Sequence, residues 1–156
     1  MLLGLAEVSI AITGFSGVVG AVSGKTWGGA ERFRFINLTS FAIAATLFSF
    51  LPLAVFSYNV SEAFSWAMSA SLLTMFVVVF QTNGFFRVRK LRGGEASIWA
   101  KWFLVTGSAI VAVLQLIGLT VPSIINATYI TGILILILLA VFQFVVFVIR
   151  IFVRHD

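Results

Sequence analysis

The sequence predicts an all-α integral membrane protein, a bundle of five transmembrane helices. Apolar residues make up 61% of the 156-residue chain and charged residues only 10%, which differs strongly from the composition of soluble domains. The apolar residues form five stretches, each long enough to cross a hydrocarbon core as a helix of about 20 residues. All ten Lys and Arg residues lie in alternate connections between these stretches, in the first turn of the fourth stretch and at the end of the chain, as expected when basic residues stay on one side of a bilayer.

Each stretch is expected to be a helix because a segment inside lipid must satisfy its backbone hydrogen bonds internally. Without strand-like alternation, only a helix does so. No gap between the stretches is long enough for a soluble domain, so the chain is predicted to be one transmembrane domain, 1–156. The expected spans, from first to fifth, are 2–22, 35–58, 63–86, 98–121 and 128–153.

The connections predict the topology. Short links at Asn59–Glu62 and Pro122–Asn126 carry no Lys or Arg and make the second and third helices, and the fourth and fifth, antiparallel hairpins. With the basic segments in the cytoplasm, the N-terminus lies outside and the C-terminus inside. We expect a multi-pass membrane protein.

The basic residues predict a cytoplasmic face for anionic lipid or a soluble partner. The sequence pI of about 10.5 is explained by this topology and by attraction to anionic lipid, so no nucleic-acid partner is expected. The residues of this predicted basic face are Lys25, Arg32, Arg34, Arg87, Arg89, Lys90, Arg92 and Lys101.

Glu7 is the only ionisable residue well inside a predicted span. A carboxylate inside a membrane is costly and is by default a candidate functional residue. Its position near the start of the first helix leaves a second interpretation, in which it reaches the outer headgroups.

Other polar residues inside the spans can be matched to Glu7 by depth, at 1.5 Å per helical residue. If all of them face one interior, they form a polar column for permeation. The alternative is that each hydrogen-bonds pairwise between helices. The candidates, from the outer side inward, are Glu7 and Gln115 in the outer third, Thr46 and Ser49 near the middle, and Gln81 and Gln143 toward the inner face.

The first and fifth helices differ in side-chain size. Gly14, Gly17, Gly20 and Gly24 make the first helix suitable for close packing, so it is predicted to be central, either within the bundle or at a subunit axis. The fifth helix has large apolar side chains from Ile133 to Val148, apart from Gln143, and is predicted to be peripheral and lipid-facing.

Pro52 lies inside the second predicted helix. Proline lacks a backbone N–H, so it should leave the Phe48 carbonyl without its helical partner and bend the helix. The bend could form a hinge or a cavity, or could simply be packing geometry.

Two resemblances involve the first helix. Leu5-Ala6-Glu7-Val8 resembles the first-helix carboxylate segment of small multidrug transporters, which implies proton exchange, although those proteins have four shorter helices. The first third of the chain is similar to uncharacterised small bacterial multi-spanning inner-membrane proteins through Ala6-Glu7, Ile12 to Val18, Trp27, Glu31 to Arg34 and Leu51-Pro52. This second resemblance implies a bacterial source and a location in the inner membrane, and it brings no activity.

Three classes of function follow. The chain has no cysteine and a single histidine, His155, so no enzyme, metal site or cofactor is expected. The first class is a homo-oligomeric channel with the first helix near the axis. The second is a proton-coupled small-molecule transporter that uses Glu7. The third is a non-conducting membrane subunit whose basic loops bind a partner or anionic lipid.

Overall fold

The computed structural model describes residues 1–22, 29–90 and 98–153. Each of its long helices contains a segment long and apolar enough to cross a bilayer, so the chain is a multi-pass membrane protein. The five predicted helices are thereby confirmed. They are α1 (Leu2–Val22), α2 (Gly29–Phe56), α3 (Glu62–Lys90), α4 (Ile98–Thr120) and α5 (Ile125–Val153), with a 3₁₀ turn at Pro122–Ile124 before α5.

Three helices extend beyond their predicted ends. α2 begins at Gly29 rather than at 35, α3 ends at Lys90 rather than at 86, and α5 begins at Ile125 rather than at 128. The apolar pattern marks only the part of a helix that contacts hydrocarbon. Polar and basic residues beyond it keep the helical backbone because that backbone still satisfies its own hydrogen bonds at the membrane surface.

The predicted short turn between α2 and α3 is confirmed. Asn59 adopts a left-handed conformation with φ 58°, which asparagine tolerates better than most residues. The Asn59 amide donates to the Phe56 carbonyl (3.1 Å). At the start of α3, the Ser61 hydroxyl oxygen accepts from the Phe64 amide (3.3 Å), so Ser61 caps the helix.

The helices alternate in direction along the chain. The Phe41 and Phe80 rings, 4.9 Å apart, connect α2 with α3, and the Phe103 and Phe142 rings, 4.0 Å apart, connect α4 with α5. One end of the bundle therefore contains the beginnings of α2 and α4 and the ends of α1, α3 and α5. We call it the basic end, because every Lys and Arg of the described helices lies in its half of the bundle.

The core of the bundle is built around α5. This helix packs against α2 and α4 and also contacts α1 and α3. The prediction that it is peripheral and lipid-facing is wrong. Large apolar side chains suit lipid and a packed core equally, so residue size does not distinguish the two environments. One face of α5 is fully buried; its residues are Tyr129, Ile133, Leu136, Ala140, Gln143 and Phe147.

α1 lies at the periphery of the subunit. Only 17% of its apolar span is buried, against 44% in the spans of α2 and α5. It packs on α2 and α5, and its buried residues are Ala6, Ser9 and Ser16. The prediction that the small residues place this helix within the bundle is therefore wrong for a single subunit, and the position at a subunit axis remains a prediction.

Candidate functional site

The face of α1 opposite the bundle carries a row of small residues around one carboxylate. Its members recur at intervals of three and four residues, so they share one side of the helix, and all are exposed. Nothing lies within 4 Å of a Cβ built on Gly4 or Gly14, so a neighbouring helix could approach closely there. This α1 stripe consists of Gly4, Glu7, Ala11, Gly14, Val18 and Ala21.

The other glycines predicted to pack helices lie beside the stripe. Gly17 is exposed, and a Cβ there would also meet nothing within 4 Å. Gly20 is half-buried. Gly24 lies outside the described residues. Of the four glycines predicted to pack helices, Gly14 and Gly17 are therefore the two that a neighbouring helix could approach closely in the described part of α1.

Glu7 lies close to the mid-depth of the bundle, measured along the helix axes. The rings of Phe15 on α1 and Phe144 on α5 are 5.6 Å apart. Both helices end at the basic end, and Glu7 and Leu136 each precede their phenylalanine by eight residues, so the two lie at the same depth on opposite sides of α1 and α5. Leu136 is near the middle of α5. The carboxylate is thus deeper than the outer third predicted from the sequence.

The Glu7 side chain is exposed on the subunit surface. In a lone subunit this position would contact lipid tails, where an ionisable group is costly. Its exposed surroundings on the helix are small or apolar side chains. The Glu7 carboxylate can therefore contact water or cations only if another protein surface packs over this face and encloses a hydrated space with it.

Gln115 does not join Glu7. Its side-chain Nε2 donates to the Thr128 carbonyl (2.9 Å), and both residues are buried. A Cβ on Gly132 would collide with the same Nε2 atom, so α5 approaches α4 closely here. Gln115 therefore connects α4 with α5. This matches the alternative in which the polar residues form hydrogen bonds between pairs of helices and do not line one column.

The two hydroxyls predicted near the middle bond to their own helix. Thr46 donates to the Ala42 carbonyl (3.0 Å), and Ser49 donates to the Ala45 carbonyl (2.7 Å). Ser49 is buried and Thr46 is half-buried. The structure therefore does not bring these residues together with Glu7 in one polar column.

Gln81 and Gln143 lie in the half of the bundle near the basic end. Gln143 is fully buried on α5. Its Oε1 and Nε2 atoms have no hydrogen-bond partner among the described residues, and neither does Nε2 of the half-buried Gln81. A buried amide without a partner is costly, so Gln143 in particular requires a physical explanation.

The Phe48 carbonyl is the group that Pro52 should leave unpaired, and it is satisfied by a residue that the sequence did not single out. The Tyr129 hydroxyl donates to this carbonyl (2.6 Å). The Ser65 hydroxyl donates to the carbonyl of Pro52 itself (2.6 Å). The Trp66 ring packs at an angle on Tyr129, with centroids 5.7 Å apart. These contacts hold α2, α3 and α5 together, which favours packing geometry over a hinge.

A double-mutant cycle tests this role of Tyr129. In the native background, Tyr129→Phe should lower the free energy of unfolding by about 1–3 kcal/mol, because the Phe48 carbonyl loses its donor inside the membrane. In a Pro52→Ala background the loss should be smaller, since the backbone amide that alanine introduces can bond to the same carbonyl. Unfolding in detergent mixtures followed by tryptophan fluorescence measures both. Equal losses in the two backgrounds would contradict the assignment.

The predicted basic face is only partly described. Arg32 is exposed near the start of α2, but Arg34 is only 2% exposed. Arg34 is therefore not part of the exposed surface of the subunit, because it lies on the helix face that also buries Leu38 and Phe41. Lys25 and Arg92 lie outside the described residues. Four further residues, Arg87, Arg89, Lys90 and Lys101, lie on helices whose backbone alone is described there.

Comparison with known proteins adds no assignment to this geometry. No protein-family model, no curated protein and no solved structure matches the chain.

Proposed function

We propose that the protein is a small homo-oligomeric membrane channel whose subunits pack around a symmetry axis through the α1 stripe. The observation that carries this proposal is the exposed Glu7 carboxylate near mid-depth, on a face of small residues. Identical subunits arranged around an axis would cover this face with copies of itself. The packed core of one subunit leaves the axis as the most direct place for an aqueous path.

The stripe has the spacing that helix association in membranes uses. Its residues recur every three and four positions, as in a left-handed helix pair. Small residues allow the helix backbones to approach, so that dispersion contacts can drive association in lipid. A partner helix along this face would also remove Glu7 from the lipid tails.

A ring of Glu7 residues would favour cations, because rings of acidic side chains select for them. We place the protein in a bacterial inner membrane with its basic end in the cytoplasm. Arg32 and the neighbouring basic residues would then meet anionic lipid headgroups or a soluble partner. Glu7 would lie farther from the cytoplasmic surface than all of these basic residues, in a narrow and weakly hydrated part of the axial path.

The test is ion flux through purified protein in liposomes. Glu7→Gln should lower the permeability ratio of cations over anions by about tenfold, equivalent to about 1.4 kcal/mol, because the ring loses its charge. The matched control is Glu62→Gln, which removes the exposed carboxylate at the start of α3 and should leave the ratio unchanged. Wild-type protein without flux above empty vesicles, at several voltages and pH values, would refute the channel.

The same assay separates the other two classes of function. Flux that requires a proton gradient and is lost in Glu7→Gln would instead indicate a proton-coupled transporter. No flux, together with a soluble protein that co-purifies until Arg87, Arg89 and Lys90 are neutralised, would indicate a non-conducting membrane subunit.

A further inference from the structure

We propose that water enters each subunit from the basic end and hydrates a buried site between α1, α2 and α5, formed by Thr39, Gln143 and Ser16. This inlet is separate from the proposed axial path, because Ser16 faces the interior of the bundle and Glu7 faces away from it. The inlet would exist in a monomer as well as in an oligomer. Its test therefore does not depend on the channel.

The aromatic contacts place the three residues at one level. The rings of Phe35 and Phe147 are 5.8 Å apart. Thr39 lies one turn beyond Phe35 on α2, and Gln143 lies one turn before Phe147 on α5, so both are displaced in the same direction on antiparallel helices and remain close in depth. The Phe15–Phe144 contact brings the neighbouring Ser16 of α1 to this level.

The polar atoms at this level need a hydrogen-bonding partner. Both amide atoms of Gln143 and the Thr39 hydroxyl oxygen are buried and have no partner among the described residues. The Ser16 hydroxyl donates to the Thr13 carbonyl (2.8 Å), which leaves its oxygen able to accept. A primary amide that offers donors and an acceptor, at the same depth as two hydroxyls, can supply the two to four contacts that a bound water molecule makes.

The site lies nearer to the basic end than to the opposite end of the bundle. Gln143 is about 15 Å from the end of α5 and about 27 Å from its start at Ile125, at 1.5 Å per residue. The basic end is therefore the shorter route by which water can reach this site.

Cysteine accessibility tests the inlet without background reaction, because the chain contains no cysteine. Gln143→Cys and Thr39→Cys are each treated with a small water-soluble methanethiosulfonate reagent in lipid nanodiscs. The matched controls are Ala140→Cys and Ala45→Cys, on the same helices and fully buried. A thiol reacts only as thiolate, and apolar surroundings suppress thiolate formation.

We expect the two inlet cysteines to react at least about tenfold faster than the two controls, because water at the site favours the reactive thiolate and admits the reagent. Thr39→Cys is close in size to the native residue, so it decides the question alone if Gln143→Cys does not fold. Inlet cysteines that react as slowly as the controls would overturn the proposal and indicate a dry contact between Thr39 and Gln143. Equal fast reaction at all four positions would overturn it as well, because it would show general opening of the bundle.

Discussion

Replacing Gly14 with leucine should separate the assembled protein into subunits without unfolding them. In the subunit, a Cβ at Gly14 would meet nothing within 4 Å, so the larger side chain costs the fold little. In the proposed assembly the same position contacts the α1 stripe of another copy, and leucine would hold the two backbones apart. Association in the membrane should weaken at least about tenfold, or about 1.4 kcal/mol.

Förster transfer between labelled copies in liposomes, measured as lipid is added to dilute the protein, reports this change. Gly84→Leu on α3 is the matched control, because a Cβ there would also meet nothing within 4 Å. The control should associate as the wild type does. If Gly14→Leu shows the same transfer as the control at every dilution, subunits do not meet through this face of α1.

Gly118→Val should strongly destabilise the subunit itself. A Cβ at Gly118 on α4 would collide with the Thr128 hydroxyl and would lie 3.3 Å from the Cα atom of Ile125. The second contact is with backbone, so a side-chain rotation cannot relieve it. The added side chain would therefore push α4 and α5 apart. Gln115 holds the two helices together close by, so we expect a cost of about 3 kcal/mol.

Unfolding in detergent mixtures measures the loss, with Gly84→Val as the control for introducing valine into an open helical site. The control should retain nearly the wild-type free energy of unfolding. A Gly118→Val protein as stable as Gly84→Val would show that α4 and α5 do not approach as described.

The sequence was sufficient to predict five helices because lipid imposes one backbone solution on a long apolar stretch. It was not sufficient to predict which helix is central. α5 has large apolar side chains that suit lipid as well as a packed core, and α1 has small residues that suit contact within a subunit as well as between subunits. Spatial neighbours decide both questions, and α5 proves central in the subunit while α1 is peripheral.

The sequence predicts the candidate functional residues only where one residue is informative by itself. The sequence indicates Glu7 because an ionisable residue inside a span is rare, and the unpaired Phe48 carbonyl follows from Pro52 alone. The sequence does not indicate Tyr129 as the donor to this carbonyl, since Phe48 and Tyr129 are far apart in the chain. The charge of Arg34 predicts a surface position, whereas its burial follows from the neighbours that α2 meets in the bundle.

Native mass measurement of the protein in lipid nanodiscs tests the central claim most directly. Assembly through the α1 stripe predicts the mass of several 17.0 kDa subunits, unchanged when the protein is diluted into excess lipid over a moderate range. A mass of a single 17.0 kDa subunit at every protein concentration would contradict assembly through α1, and with it a channel at the axis.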